Sequence, residues 1–389
     1  MLFRFRDFCL PVLRMDSVSK KFLKAFGGDA SGFCKTPHKV VLPRNVFEVQ
    51  EAVISYEKII PRGGGSGFSG GIVPLGGEVT IDLSRINSIL VDERRQVAEV
   101  GAGAVLSDIN FCASKNNLEF PVDLPSREVC TIGGMIATNA TGIRASKYGR
   151  TSNWVRWIDV VDSNGEILRK GITEISDFCG MEGTTGVIVR ACIKLIEKPN
   201  RKASILRFDN LENLLRVVIN FKRESSVSMV WFFNAKCSSF LGLPLEHHLI
   251  VEFEDGRGKM EGREYSRAMA LIDKTYSAVL LGGFPRIEDF KIHLNSFIKV
   301  MKLIDAMDIP VFGPISFGVL HPCFDSKNEK NIPHFLRSVE RLGGLAVGAF
   351  GIGILKKAFV GHLDRKIFEN VLKRKNPSRK FNPGKILDG

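Results

Sequence analysis

A glycine-rich loop between two apolar segments constrains the fold of this chain most strongly. Residues 61–71 read Pro-Arg-Gly-Gly-Gly-Ser-Gly-Phe-Ser-Gly-Gly and follow the apolar pair Ile59 and Ile60. Consecutive glycines allow positive φ and let backbone N–H groups converge without a Cβ between them. Such a nest binds oxyanions, chiefly phosphates. A flexible surface linker is the alternative, but a linker would rarely stand between two apolar strands.

The loop contains a formal G-x-G-x-x-G match at Gly65, Gly67 and Gly70. A Rossmann dinucleotide site needs a helix directly after this turn. Here residues 70–77 contain Pro74 and four glycines, which forbid a helix. The pattern therefore predicts a loop that wraps a diphosphate without a following helix, and it argues against a nicotinamide site.

The chain around this loop predicts alternating strands and helices as far as residue 199. Strands are predicted at 39–43, 58–61, 79–82, 98–103 and 187–195, helices at 45–53 and 105–115, and a hairpin at 154–169 that turns at Asn164 and Gly165. A second glycine segment, residues 131–142, predicts a helix start whose free N–H groups face an anion. The sequence Lys-Pro-Asn at 198–200 predicts a domain boundary.

Beyond residue 200 the pattern changes to strands such as 249–253 and amphipathic helices at 262–274 and 289–306. This predicts a separate α+β domain. The predicted organisation has four parts: an N-terminal helical segment (1–35), the domain with the glycine loop (36–199), an α+β substrate domain (200–355), and a C-terminal helix and tail (356–389).

Composition narrows the class of protein. The net charge is +13, but the Lys and Arg residues are dispersed and no nucleic-acid-binding motif is present, so we expect no nucleic-acid partner. None of the eight cysteines forms a C-x-x-C pair, which argues against structural zinc. No apolar run is long enough to span a bilayer.

The first fifteen residues are basic and apolar but are too interrupted by charge for a secretory signal. Met15 is an alternative start, with Asp16 or Ser17 as the cap of the next helix. We therefore predict a cytoplasmic protein. A weak contact of this segment with a membrane surface stays open, which would place the protein at the inner face of the membrane.

Five segments in order resemble the PCMH-type FAD-linked oxidases of the vanillyl-alcohol oxidase superfamily, within the D-lactate dehydrogenase, glycolate oxidase and D-2-hydroxyglutarate dehydrogenase branch. They are residues 61–74, 82–85, 121–149, 182–188 and 381–387. The match is dense over 36–199 and at the tail, and thin between 200 and 355. The resemblance implies an α+β fold with a two-subdomain PCMH-type FAD-binding domain, a ferredoxin-like α+β substrate (cap) domain, and a C-terminal tail that returns to the FAD domain.

The resemblance also implies noncovalent FAD, because the glycine loop offers no histidine for covalent attachment. The loop amides would hold the pyrophosphate, the second glycine segment would lie along the cofactor, and the tail would approach the flavin ring. Carried over position by position, the cofactor-binding residues would be Arg62, Gly63, Gly64, Gly65, Ser66, Gly67, Ser69, Gly70, Pro125, Gly133, Gly134, Ala137, Asn139, Gly142, Glu182, Gly186, Ile188 and Asn382.

The catalytic motifs of this branch are altered. The family's H-x-G-D-G-N-x-H motif falls on residues 314–321, which keep only Gly318 and His321, and its G-E-H-G-I-G motif falls on 348–353, where Ala349 and Phe350 replace Glu and His. In metal-dependent relatives these positions hold a divalent ion and supply the base. We therefore predict no metal, with His321 or Tyr148 as the catalytic base. A purely structural role for His321 is the alternative.

Phenylalanines at the altered positions, Phe317 and Phe350, predict an aromatic pocket over the flavin. Arg286 is a candidate partner for a substrate carboxylate. The resulting prediction is an FAD-dependent oxidoreductase that oxidises a 2-hydroxy acid or related CH–OH small molecule by hydride transfer to flavin N5. Its electrons would pass to a quinone, a carrier protein or oxygen. The alternative is a noncatalytic FAD-binding or electron-relay subunit that docks with a partner subunit of a glycolate oxidase-type complex.

Overall fold

The computed structural model describes residues 20–387. The basic and apolar residues 1–15 and the predicted helix cap at Asp16 or Ser17 lie outside the described residues. The described strands are β1 (Lys39–Val41), β2 (Ile59–Arg62), β3 (Val79–Asp82), β4 (Ile89–Asp92), β5 (Val97–Gly101), β6 (Leu118–Glu119), β7 (Val155–Val161), β8 (Ile167–Gly171), β9 (Val187–Lys194), β10 (Ile196–Glu197), β11 (Lys202–Phe208), β12 (Val227–Phe233), β13 (His247–Phe253), β14 (Arg286–Ile287), β15 (Phe290–Lys291), β16 (Val311–Pro314) and β17 (Val319–Phe324).

Helices pack against these sheets. They are α1 (Lys20–Ala25), α2 (Val46–Ser55), α3 (Leu106–Ser114), α4 (Ile132–Thr138), α5 (Ala145–Tyr148), α6 (Leu211–Lys222), α7 (Ala235–Phe240), α8 (Gly262–Leu281), α9 (Phe297–Ala306), α10 (Ile332–Arg341) and α11 (His362–Lys375). Among residues 20–387, no helix combines the length and the apolar character needed to cross a bilayer.

The first part of the chain forms two larger sheets around one core, and β6 and β10 form a separate two-stranded sheet. A small parallel sheet has the strand order β1-β3-β2, and a five-stranded antiparallel sheet has the order β4-β5-β9-β7-β8. All four residues of β3, the central strand of the small sheet, are buried, so neither face of this strand reaches solvent. The glycine loop leaves the carboxyl end of β2 and runs to β3 without a helix, as predicted.

Helix α4 begins where the second glycine segment predicts it. Thr131 caps the helix by accepting a hydrogen bond from the N–H of Gly134 at 3.4 Å, and Asn139 ends it in the left-handed conformation. Gly133 is required because a Cβ there would lie 2.8 Å from the carbonyl oxygen of Ala102. The missing side chain therefore lets α4 pack directly on the backbone that follows β5.

The second part of the chain is a seven-stranded sheet with strand order β11-β13-β12-β16-β17-β14, and β15 also pairs with β17. Phe232, Phe233 and Phe297 are fully buried in its core. Together the two parts confirm the predicted α+β class. The domain boundary predicted at 199/200 lies between β10 and β11, which belong to different sheets.

Two helix predictions were wrong in extent. Residues 289–306 do not form one helix, because Phe290 and Lys291 pair with Leu320 and Val319 on β17 and α9 begins only at Phe297. The N-terminal helix covers only 20–25 of the described residues, since the chain then turns back on itself through a bridge between Gly28 and Cys34.

The C-terminal tail returns to the first sheet, as predicted. The N–H of Asn382 donates to the carbonyl of Ile59 at 2.7 Å, and the N–H of Ile59 donates to Lys380 at 2.8 Å. The side chain of Phe381 is fully buried there. The tail thus extends the edge of β2, next to the start of the glycine loop.

A buried ion pair joins the two parts. The Arg144 guanidinium donates to both carboxylate oxygens of Glu252 on β13, at 2.6 and 3.0 Å, and to Asp123 at 3.1 Å. Beside it, Ile143 packs into the hydrophobic core of the seven-stranded sheet. Burial alone would raise the pKa of the Glu252 carboxyl, but the charge of Arg144 lowers it to about 2.

This pair makes stability depend on acid. Because the folded pKa of Glu252 lies below its ordinary value of 4.5, its contribution is complete above pH 4.5 and is lost as the pH falls toward 2. A shift of this size is worth about 3 kcal/mol. Urea unfolding of the native protein and of Glu252→Gln should show a stability difference that shrinks by about 2 kcal/mol between pH 5 and pH 3. A difference that stays constant would contradict this role.

Candidate active site

A cavity of about 610 Å³ lies between the glycine loop and the seven-stranded sheet. This volume is within the roughly 300–1,000 Å³ typical of ligand and cofactor sites. The first part of the chain contributes the glycine loop, α4 and the segment before β9, while the second part contributes side chains from β12, α8, β16 and β17. The cavity therefore has one wall made mostly of backbone and one made of side chains.

The backbone wall is shaped by glycines that admit no side chain. A Cβ on Gly63 would lie 2.3 Å from the hydroxyl oxygen of Thr131, and one on Gly64 would lie 2.0 Å from the carbonyl oxygen of Val129. The loop therefore lies directly against the N-terminus of α4. This is the close backbone approach that a diphosphate cradle requires.

Most of the predicted cofactor residues line this cavity. They are Arg62, Gly63, Gly64, Gly65, Ser66, Gly67, Ser69, Pro125, Gly133, Gly134, Ala137, Gly142, Glu182, Gly186 and Ile188. Three others lie behind it and support it. Asn139 accepts from the N–H of Ser152 at 3.0 Å, Gly70 adjoins Ile354, and Asn382 donates to the carbonyls of Gly71 and Glu182 at 2.8 and 2.7 Å.

Glu182 connects the cavity wall to a distant segment of the chain. Its carboxylate accepts from the N–H groups of Ile352 and Gly353 at 2.5 and 2.8 Å. Burial raises the pKa of this carboxyl to about 7, against the opposing effect of the two N–H donors. Glu182 therefore anchors the loop at 348–353 to the FAD-binding part.

A second carboxylate anchors the same loop from the second part of the chain. Asp289 accepts from the backbone N–H groups of Ala349 and Phe350, and its other oxygen pairs with the Lys356 ammonium. Burial would raise the pKa of Asp289, but Lys356 lowers it. The loop is thus held from both sides, which fixes where the Phe350 ring stands.

Phe350 lies in the middle of a stack of three rings. Its centroid is 4.6 Å from that of Phe68 in the glycine loop and 4.5 Å from that of His321 on β17, with only 8° between the Phe350 and His321 planes. All three side chains line the cavity. An aromatic ring therefore occupies the position that the family motif gives to histidine.

His321 is buried and chemically unusual. Burial lowers the pKa of its imidazole to about 4, although the nearby carboxylate of Asp289 acts in the opposite direction. Its Nδ1 atom has no hydrogen-bond partner among the described residues. An imidazole that is neutral at physiological pH and unpaired beside a cavity can accept a proton from a bound hydroxyl.

Three other candidates lie away from the cavity lining. The Tyr148 hydroxyl donates to Glu254 at 2.7 Å, and burial together with that carboxylate raises the pKa of Tyr148. Phe317 faces Lys291, whose ammonium lies 4.2 Å from the ring centroid. Arg286 is paired with Glu288 at 2.8 Å. The structure thus does not bring Tyr148 to the cavity, and of the two predicted phenylalanines only Phe350 lines it.

Sequence reasoning missed several cavity residues because no motif marks them. They include Trp231, Ile272, Asp273, Tyr276, Ile287 and Phe312. Trp231 is on β12 and pairs in register with Pro314 on β16. A single buried tryptophan within an apolar strand gives no signal of a site. Its place in the cavity follows only from the order of strands in the sheet.

The residues present do not fit the divalent ion of metal-dependent relatives. Pro314 and Ala349 occupy two of the three ligand positions and cannot coordinate a metal. Among residues 20–387, no cluster of three His, Cys, Asp or Glu side chains is arranged to hold one.

The fold and the glycine cradle define a flavin-binding protein, and comparisons with known proteins agree. The FAD binding domain family matches residues 37–171. The D-lactate dehydrogenase of Archaeoglobus fulgidus is 28% identical over 90% of this chain and 91% of that protein. Subunit GlcD of the glycolate oxidase of Bacillus subtilis is 26% identical over 90% and 89%.

A D-2-hydroxyglutarate dehydrogenase of Xanthomonas citri pv. viticola is 32% identical over 58% of this chain and 51% of that protein. Among solved structures, alkyldihydroxyacetonephosphate synthase is similar in fold, with a TM-score of 0.68 and 17% identity over 88% of this chain and 75% of that chain. The resemblance inferred from the motifs is therefore confirmed. The similarity is to the D-lactate dehydrogenase, glycolate oxidase and D-2-hydroxyglutarate dehydrogenase branch of these oxidases, and FAD is the cofactor of this chain.

Proposed function

We propose that this chain is an FAD-dependent oxidoreductase that oxidises a CH–OH donor, a 2-hydroxy acid or a related alcohol. The observation that carries the proposal is the single cavity lined both by a glycine cradle suited to a diphosphate and by His321, whose Nδ1 has no hydrogen-bond partner among the described residues. The similar proteins named D-lactate dehydrogenase and glycolate oxidase support the same reaction class.

The bound flavin supplies a hydride acceptor. The substrate carbon would lose a hydride to that acceptor while its hydroxyl proton passes to a nitrogen of His321, so that a C=O bond replaces C–O–H and C–H. Phe68 and Phe350 would exclude water from this step, since the Phe350 ring covers one face of His321 and the Phe68 ring stacks on Phe350. The buried Asp289 carboxylate would stabilise the imidazolium that forms.

The partners beyond the substrate follow from this chemistry. A reduced flavin needs an electron acceptor, and a quinone, a carrier protein or oxygen would each serve. A partner subunit, as in a glycolate oxidase-type complex, would matter if the isolated chain bound FAD but turned over no donor. We further propose a cytoplasmic location, at the inner face of the membrane if the acceptor is a quinone.

Anaerobic flavin bleaching tests the function. The purified FAD-loaded protein should lose its visible flavin absorbance with at least one compound from a panel of 2-hydroxy acids and neutral alcohols. His321→Ala should slow this reduction by about 10²- to 10⁴-fold, the usual contribution of a general base, while FAD binding is retained.

Tyr148→Phe is the matched control, because Tyr148 lies outside the cavity lining and its substitution should leave the reduction rate nearly unchanged. Stable, fully oxidised flavin with every donor would overturn the oxidoreductase proposal and favour the electron-relay subunit. Equal reduction rates in the native protein and in His321→Ala would remove His321 from the reaction.

A further inference from the structure

Two residues that line the cavity each carry a buried side-chain nitrogen that has no hydrogen-bond partner among the described residues. These atoms are the indole Nε1 of Trp231 and the imidazole Nδ1 of His321. The two rings are neighbours, with centroids 6.5 Å apart, and both side chains line the cavity. An unpaired buried donor costs about 1–3 kcal/mol, so such atoms are normally satisfied by water or a ligand. One hydroxyl could accept from the indole N–H and donate to the imidazole.

The rest of this wall is apolar. Tyr276, Phe312 and Phe350 contribute rings, and Ile272 and Ile287 contribute aliphatic surface. Phe68 touches two of these rings, with centroid distances of 5.4 Å to Tyr276 and 4.6 Å to Phe350. A wall of this kind favours a ligand that carries a ring or another compact apolar group.

The cavity offers no free cation to a carboxylate. Of the described residues that line it, Arg62 is the only Lys or Arg. Asp29, Glu182 and Asp273 are acidic, and Asp273 already pairs with Arg127 at 2.9 Å. Arg62 belongs to the glycine loop and already pairs with Asp82 at 3.4 Å. The seven-stranded sheet and its helices thus bring no cation to the wall, so a bound carboxylate would be desolvated without a counter-ion.

We propose that the substrate of this site is a neutral alcohol that carries an apolar ring, with its hydroxyl held between the indole N–H of Trp231 and the imidazole of His321. The inference rests on the proposed function and names its substrate class. Trp231 is then a positioning residue that sets the orientation of the C–O bond, and the loss of the family's metal ligands accompanies a change from charged to neutral donors.

Three probes of similar size separate the contributions of charge, ring and hydroxyl. Methyl mandelate has the ring, the hydroxyl and no charge, mandelate adds the carboxylate, and methyl phenylacetate lacks the hydroxyl. Binding to the oxidised FAD-loaded protein is measured by perturbation of the flavin spectrum and by calorimetry. We expect methyl mandelate to bind at least about tenfold more tightly than mandelate, and about three- to tenfold more tightly than methyl phenylacetate.

Trp231→Phe keeps a ring and removes the N–H donor. This substitution should weaken the binding of methyl mandelate by about three- to tenfold and leave the affinity for methyl phenylacetate nearly unchanged. Trp154→Phe is the matched control, because the Trp154 indole already donates to the carbonyl of Tyr148 at 2.7 Å, outside the cavity lining. Far-ultraviolet circular dichroism and FAD content check the fold, and if Trp231→Phe fails to fold, the three probes on the native protein decide alone.

Mandelate that binds as tightly as its methyl ester, or no binding of any probe, would overturn the proposed substrate class. A hydroxyl preference that survives Trp231→Phe would overturn the role of Trp231. Flavin bleaching distinguishes these failures from failure of the proposed function. If lactate or mandelate bleaches the flavin while methyl mandelate does not bind, the proposed oxidoreductase function is supported and the proposed substrate class is contradicted. If methyl mandelate binds but no donor bleaches the flavin, the proposed oxidoreductase function is contradicted and the proposed ligand class is supported.

Discussion

Replacing Gly64 with alanine is expected to weaken FAD binding by roughly tenfold to a hundredfold, the cost of forcing a methyl group into a closely packed site. The added Cβ would lie 2.0 Å from the carbonyl oxygen of Val129 and 2.9 Å from its carbonyl carbon. Both atoms belong to backbone that leads into α4, so the clash cannot be relieved by a side-chain rotation. The glycine loop and α4 would have to separate, and the diphosphate cradle would lose its shape.

The measurement is an equilibrium titration of the apoprotein with FAD, followed by flavin fluorescence. Gly171→Ala is the matched control, because a Cβ there meets no atom within 4 Å and should leave FAD affinity unchanged. Unchanged affinity in Gly64→Ala would show that the loop does not hold the cofactor in the way described. Circular dichroism separates a local effect from global unfolding.

Replacing Arg144 with alanine is expected to lower the free energy of unfolding by about 3 kcal/mol, the lower end of the usual cost of removing one partner of a buried ion pair. The lower end applies because Arg201 at 3.5 Å and the hydroxyls of Ser228 and Tyr265 still face the Glu252 carboxylate. Glu252 is completely buried and receives two hydrogen bonds from Arg144. Because Arg144 comes from the FAD-binding part and Glu252 from the seven-stranded sheet, the loss should also loosen the contact between the two walls of the cavity. We therefore expect weaker FAD binding together with lower stability.

Urea unfolding followed by circular dichroism and flavin fluorescence measures both effects. Arg95→Ala is the matched control, since its pair with Asp92 is exposed and 3.8 Å long and should contribute less than about 1 kcal/mol. A loss of less than about 1 kcal/mol in Arg144→Ala would contradict the role given to the buried pair.

The cofactor side of the site was predictable from sequence for a local reason. A diphosphate cradle is built from consecutive backbone amides, so glycines 63–65 and the Thr131 cap leave a contiguous signal. The signal does not tell which residues face the cavity and which support it from behind. Asn139 and Asn382 belong to matching motifs, yet neither lines the cavity, and both act through hydrogen bonds to the backbone of other residues.

The substrate side was only partly predictable. The sequence alone showed that the family's base and two metal ligands are replaced, and it therefore marked His321 and Phe350. It also marked Tyr148 and Phe317, whose side chains lie outside the cavity lining beside Glu254 and Lys291. Sequence alone cannot separate the first pair of residues, which lines the cavity, from the second pair, which does not. A ring-bearing residue at a motif position gives no sign of the direction in which its side chain points.

The sequence by itself therefore determined the α+β class, the diphosphate-binding loop, the return of the tail to the first sheet and the loss of the metal ligands. Only the tertiary structure decided which rings line the cavity. Trp231 and His321 meet through the register of β12, β16 and β17, and Phe68 reaches Phe350 because Glu182 and Asp289 hold the loop at 348–353 in place. The physical reason is the separation of the residues along the chain. A backbone loop is formed by neighbouring residues, so a local pattern reveals it. A pocket is formed by side chains that are far apart in the sequence, and no local pattern encodes how they pack.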